Sequence, residues 1–229
     1  MKRIIFLLML FLLAGCNITV LDPKSDTASD QAFLIWFSFG IMALVVLTVF
    51  ILFIRFVWKY RLTKEKTDFL PKDVSGSKIL EITWIVIPII LLAILAVPTI
   101  AITYNQSPVS EGENRDKDGV HVDVTAEQFL WTFTHENEKE VEDVLVIPEG
   151  ENIILHLKSK DIIHSFWAPA LGGKVDVMPH EEIVYEIENP DKGTYKGKCA
   201  EYCGIQHANM TFKVKVVSME EYENYLKEK

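Results

Sequence analysis

Two apolar runs, residues 32–58 and 79–104, limit what this chain can fold into more than any other feature. A helix needs about 20 apolar residues to cross a hydrocarbon core, and each run is long enough. Trp36 and Trp58 lie near the ends of the first run, where interfacial tryptophan is expected. Pro88 and Pro98 interrupt the second, which a spanning helix tolerates when neighbours re-satisfy the freed carbonyls. Between the runs, Arg55, Lys59, Arg61, Lys64, Lys66, Lys72 and Lys78 make a basic segment. The positive-inside rule puts that segment in the cytoplasm, so both flanking portions of the chain face outward.

The chain opens on Met1-Lys2-Arg3 and a short apolar stretch to Leu13, too short to span and shaped like an export signal. The stretch ends in Leu13-Ala14-Gly15-Cys16, which resembles a bacterial lipoprotein processing site. Residues 1–15 are thus expected to be a signal peptide, with lipid added at Cys16; the alternative is a free or buried cysteine. Residues 16–104 are expected to form a polar linker (residues 17–30) and a two-helix transmembrane hairpin. An acyl chain adds little anchoring beside two such helices.

Residues 105–229 have a different character. They carry 13 Lys+Arg against 25 Asp+Glu, a net charge of −12. Such a domain is no nucleic-acid binder, since that binding is carried by cationic contacts to phosphate. The charge fits either a basic protein partner drawn by a long-range field or a solubilising surface. Runs at 120–125, 153–158, 183–188 and 211–217 alternate apolar and polar residues, the period of half-buried strands. Pro148-Glu-Gly150, Gly172-Gly173, Asn189-Pro190 and Lys192-Gly193 punctuate them as turns. Short strands so spaced predict an all-β sandwich or barrel over 105–229. The tail from Ser218 reads as a short helix with a serine cap and acids in its first turn.

The chemistry concentrates in Cys199-Ala-Glu-Tyr-Cys203-Gly-Ile-Gln-His207-Ala-Asn-Met210, with His164 35 residues upstream in His164-Ser-Phe-Trp167. Soft sulfur with imidazole suits copper or zinc, and a thioether favours copper. Three residues, not two, separate Cys199 from Cys203, and no second pair exists to build a zinc ribbon. A Cys199–Cys203 disulfide is the alternative, but it asks for no ligands at 164, 207 and 210. His121, His135, His156 and His180 lack a comparable motif and are expected to be satisfied surface or core residues.

Cys-x-Glu-x-Cys-Gly-x-x-His-x-x-Met with an upstream His-Ser-Phe-Trp resembles the dinuclear copper (CuA) site of cytochrome c oxidase subunit II. The resemblance covers almost the whole chain from about residue 30. It implies a cupredoxin-like Greek-key barrel after the helix hairpin. It also implies copper ligands His164, Cys199, Cys203, His207 and Met210 with the main-chain carbonyl of Glu201. The Glu201 carboxylate would further hold a magnesium or manganese ion shared with subunit I. Glu81, in Glu81-Ile-Thr-Trp84, matches a glutamate at the mouth of a proton pathway, and on physics alone it could equally snorkel at the interface. Phe129 stands where the family usually places an electron-accepting tryptophan; Trp131 keeps the next one and fits a core aromatic equally well. Asp176 lies where the family has an acid near the subunit boundary. The implied role is electron entry to a terminal oxidase in the bacterial cell membrane. Cytochrome c would dock on an acidic outer face, and haem in subunit I would reduce O2. The chain shows no Cys-x-x-Cys-His, so a separate donor is expected.

Three other readings share features of this sequence. A quinol oxidase subunit II has the same hairpin and barrel without the copper ligands. A copper-delivery lipoprotein would need neither two helices nor Glu81. A nitrous oxide reductase copper domain shares the loop motif but follows a large catalytic domain.

Overall fold

The computed structural model describes residues 18–63, 73, 75–110 and 118–228; Cys16, Lys64, Lys66 and Lys72 lie outside them. The chain divides into two compact units. Phe33–Asn105 forms one, and the described residues up to Ala32 join those from Gln106 onward in the other.

Two helices dominate the first unit. Helix α1 spans Asp26–Tyr60 and α2 spans Lys78–Gln106, 35 and 29 residues. At 1.5 Å per residue both exceed the roughly 30 Å of a hydrocarbon core. Their apolar side chains, such as Phe39, Phe50, Ile85 and Leu92, are exposed all round. A helix apolar on every face is a membrane helix unless a large protein core covers it. Pro88 and Pro98 both sit inside α2.

The start of α1 corrects the expected linker. Residues 18–30 are tied to the β domain rather than hanging free of it. The Lys24 N–H donates to the Ala170 carbonyl (2.7 Å) and the Asp26 N–H to that of Glu188 (3.0 Å). The Ser25 hydroxyl donates to the Leu171 carbonyl (2.6 Å) while its oxygen accepts the Ala28 N–H (3.0 Å). Ser25 is therefore the N-cap of α1, with Asp26 in the first turn where the helix dipole favours an acid. The apolar run alone hid this boundary, because capping residues are polar and read as loop.

The second unit is a two-sheet β domain with the expected cupredoxin-like build. One sheet orders its strands β1 (Val109–Ser110), β9 (Ile183–Ile187), β6 (Ile153–Ser159), β2 (Val120–Glu127), β3 (Leu130–His135) and β4 (Glu140–Glu142). The other orders β5 (Val144–Pro148), β11 (Thr211–Val217), β10 (Gly193–Cys199), β7 (His164–Trp167) and β8 (Val175–Val177). The four runs predicted from alternation are β2, β6, β9 and β11. Period two fits them because Val122, Val124, Phe212, Val214 and Val216 face inward while their neighbours face out. Strand β6 departs from the pattern. It pairs with β2 and β9 and is buried on both faces from Ile153 to Leu157. Trp131, Phe133, Phe166 and Phe212 form the aromatic centre of the core, in edge and stacked contacts 4.8–5.8 Å apart.

The tail forms helix α3 (Met219–Lys227) with the expected serine cap. The Ser218 hydroxyl accepts the Glu221 N–H, and the Glu221 carboxylate accepts the Ser218 N–H, a reciprocal capping box.

Candidate metal centre

Ends of the three central strands of the five-stranded sheet assemble the site. β7 begins at His164, β10 ends at Cys199, and Met210 immediately precedes β11. The intervening loop is closed by backbone bonds: Cys199 N–H to the Met210 carbonyl and Ala200 N–H to that of Ser165, both 2.9 Å. A single 3-10 turn, His207–Asn209, presents His207. Gly204 has φ +127°, a left-handed-side backbone that side chains rarely adopt. A Cβ there would stand 2.9 Å from Gln128 Nε2 and 3.2 Å from the Phe129 ring. The Gln128 amide meanwhile donates to the Cys203 carbonyl at 2.6 Å. The loop is thus clamped from outside by the β2–β3 turn.

Inside, the donor atoms converge. Cys199 Sγ lies 3.8 Å from Cys203 Sγ, 3.9 Å from His164 Nδ1 and 3.2 Å from the Glu201 carbonyl. Cys203 Sγ lies 3.6 Å from His207 Nδ1 and 3.7 Å from Met210 Sδ. The thiols are not joined in a disulfide. His164, Cys199, Cys203 and Met210 are buried and His207 is half-buried. Burial pushes the Cys199 thiol up, but hydrogen bonding from His164 and neighbouring groups outweighs it, and the thiolate is favoured. Burial and then the Cys199 charge push Cys203 the other way. Two buried thiols that resist sharing negative charge, flanked by imidazole and thioether donors, make a site that a bound cation would complete.

Asp161 escaped the sequence reading. Its Oδ1 lies 2.8 Å from His164 Nε2, and its carboxylate accepts the Gln128 and Ile162 N–H groups at 2.8 and 2.7 Å. It turns His164 so that Nδ1 faces the sulfurs, the usual role of a carboxylate behind a ligating imidazole. Its position three residues before His164 was the available signal.

The other candidates fall as follows. Trp131 is fully buried, its ring edge-on to that of His164 at 6.2 Å, so it is a core residue with no surface for a donor. Phe129 is half-buried against Gly204 on the clamp. The exposed Glu201 carboxylate lies 3.8 Å from Lys174 Nζ, which also pairs with Asp176 at 3.3 Å. Glu81 is exposed in the first turn of α2. His135 is buried against Tyr222, and His121 and His156 face each other.

The fold and site define a class: a β-sandwich with a buried His and Cys cluster able to hold a metal ion, preceded in the chain by two helices long and apolar enough to cross a membrane. Sequence models of the cytochrome c oxidase subunit II transmembrane and periplasmic domains match residues 14–102 and 116–217. Cytochrome c oxidase subunit 2 of Alkalihalophilus pseudofirmus is 44% identical over 93% of this chain and 64% of its own length. That of Bacillus subtilis is 35% identical over 99% and 68%. Quinol oxidase subunit 2 of Bacillus cereus is 33% identical over 96% and 76%. A solved periplasmic domain of subunit II of cytochrome oxidase from Bradyrhizobium japonicum aligns with 23% identity and a TM-score of 0.46, over 48% of this chain and 94% of that one. The chain belongs to the cytochrome c oxidase subunit II family. It spans about two thirds of the length of the two cytochrome c oxidase relatives.

Proposed function

We propose that this chain is the electron-entry subunit of a respiratory terminal oxidase, taking electrons from cytochrome c at a dinuclear copper centre and delivering them to haem in subunit I, where O2 is reduced. The observation that carries this is the convergence of two thiols, two imidazole Nδ1 atoms, a thioether and a carbonyl within single-contact distances. The relatives include quinol oxidases as well as cytochrome c oxidases. The complete donor set favours the copper-bearing kind.

His164, Cys199, Glu201 through its carbonyl, Cys203, His207 and Met210 would hold the copper. A dinuclear copper centre held there would supply one-electron transfer, which a fixed ligand shape favours. The chain's part is to keep that shape. The sandwich fixes the strand ends, Asp161 orients His164, Gln128 holds the Cys203 carbonyl, and buried Trp131 and Phe166 exclude water. Phe129, resting on the cysteine loop, would serve electron entry. Glu81 would stand at the mouth of a proton pathway, and the Glu201 carboxylate would bind magnesium or manganese once Lys174 moved aside. Residues 1–15 as signal, lipid on Cys16 and the 105–229 domain on the outer membrane face complete the reading.

The test is copper reconstitution of the full chain in detergent, with copper stoichiometry and paramagnetic resonance. Two coppers per chain sharing one unpaired electron are expected, and Cys203→Ser should abolish the signal. A single blue-type copper, or a Cys203→Ser variant with unchanged copper content and electron transfer, would remove the proposal.

A further inference from the structure

The two sheets of the β domain carry opposite charge on their outer faces. Strands β10 and β11 turn Lys196, Lys198, Lys213 and Lys215 outward, between inward residues such as Cys199, Phe212 and Val214. Lys196 and Lys213 are cross-strand partners. Among the described residues none of the four forms an ion pair. Lys196, Lys198 and Lys213, with Val144 and Pro169, line a groove of about 700 Å³. Asp143 also lines it, but its Oδ1 already accepts the Trp131 N–H at 3.1 Å. The six-stranded sheet is the reverse. Asp123 on β2 and Glu140 and Glu142 on β4 are exposed, and the register Asp123–Thr134–Glu140 sets them on one face. Lys158, the lysine on these strands, stands three strands away from Glu142.

Like charges facing each other across a sheet cost stability, and nothing in the fold of one chain relieves this pair. The lysine face and the acidic face point away from each other across the shared core, so only a second molecule brings them together. Their spacings match. Residues two apart on a strand stand about 6.7 Å apart on one face, which holds for Glu140 and Glu142 as for Lys196 and Lys198 or Lys213 and Lys215. Their shapes match as well: β4 is a short edge strand, and the lysines border a groove. The chain's net charge of −9 repels other copies at long range. In about 0.1 M salt, charges more than about 10 Å apart are largely screened, and the facing charges decide.

We propose that the lysine face of β10 and β11 is a docking surface for a second copy of this chain, which presents the acidic face of its six-stranded sheet. The contact is heterologous, since one face of each copy meets the other face of the next. Surface charge pairs give specificity and encounter rate more than affinity, so the association is weak and salt-dependent. It uses no donor atom of the sulfur cluster and stands or falls separately from the oxidase reading.

The experiment is sedimentation equilibrium of the full chain in density-matched nonionic detergent. Self-association with a Kd of about 10–100 μM is expected in about 0.1 M salt, weakening at least about 10-fold in about 0.5 M salt. One variant carries Lys196→Glu and Lys198→Glu and keeps the acidic face; another carries Glu140→Lys and Glu142→Lys and keeps the lysine face. All four positions are exposed on strands, and circular dichroism checks that both variants fold. Lys213→Gln with Lys215→Gln, on the neighbouring strand, is a second route to the loss of the lysine face. Each variant alone should self-associate at least about 10-fold more weakly than the parent. A mixture of the two charge-reversed variants retains one native face from each and should regain parental affinity as a one-to-one pair. Absence of self-association in the parent would overturn the proposal. So would association indifferent to the reversals, which would place the contact on the apolar helices, or a mixture that associates no better than its components.

Discussion

At the scale of single residues, two side chains sharpen what the site and the core require. Asp161 binds nothing itself, yet it fixes the ring of His164 through the 2.8 Å contact at Nε2. Asp161→Asn should therefore weaken copper retention about 10–100-fold while leaving the fold intact, measured by competition with a copper chelator. Equal retention in the variant would mean that packing alone orients His164. His135 makes a separate point. It is buried, with Nδ1 3.2 Å from the Tyr222 hydroxyl and no partner for Nε2 among the described residues. Burial, with Lys139 nearby, lowers its pKa from 6.5 to about 4. The folded chain thus keeps His135 neutral where the unfolded chain would bind a proton. Its contribution is complete above pH 6.5 and is lost as pH falls toward 4, at most about 3 kcal/mol. His135→Gln should flatten the decline in Tm between pH 6.5 and 4; a decline of unchanged steepness would assign the acid sensitivity elsewhere.

At the scale of elements, the outer face of β10 and β11 is strained by its own charge. Lys196 and Lys213 are cross-strand partners, with Lys198 and Lys215 exposed beside them. Like charges directly opposite cost stability in a sheet. Lys196→Glu should raise stability by about 0.5 kcal/mol, and the gain should shrink in high salt as the pair is screened. Thermal unfolding at two ionic strengths reads both effects. The cysteine loop is an element of the opposite kind, held in one shape by close approach. Gly204→Ala would force the Gln128 amide and the Phe129 ring away from the backbone. A loss of about 1–3 kcal/mol is expected from the strained conformation, together with weaker copper retention as the Gln128 bond to the Cys203 carbonyl breaks.

At the scale of the whole chain, the segment before the first long helix belongs with the β domain. Ser25 joins them twice, capping α1 and bonding the Leu171 carbonyl. Glu188 receives Asp26 through its carbonyl and donates its N–H to Thr27. Across the Gly172-Gly173 turn the approach is tight: a Cβ on Gly173 would lie 3.2 Å from Gln31 Nε2. Ser25→Ala should cost about 1–2 kcal/mol and speed hydrogen exchange in residues 24–30 above all. Uniform exchange throughout the β domain would instead show that Ser25 supports the fold globally.

The sequence by itself determined the two helices, the all-β domain, the capped tail and the copper-type donor set. Each is written in a local signal: an unbroken apolar run, an alternation of period two, a serine three residues before a glutamate, sulfur and imidazole at short spacing. Tertiary structure decided what depends on residues distant in the chain. It showed that His164, separated by 35 residues from Cys199, closes on the same sulfurs, and that Asp161 and Gln128 hold the site from the β6–β7 and β2–β3 connections. It placed Trp131 in the core, because the inward register of β3 carries it there, whereas the one-dimensional pattern left it open between core and surface. It also set His121 against His156, two residues unremarkable in sequence that become neighbours only because β2 and β6 pair in parallel. Local signals survive in sequence because near neighbours are held together by the backbone; a site is a coincidence of distant residues, and only the packed sheets bring those together.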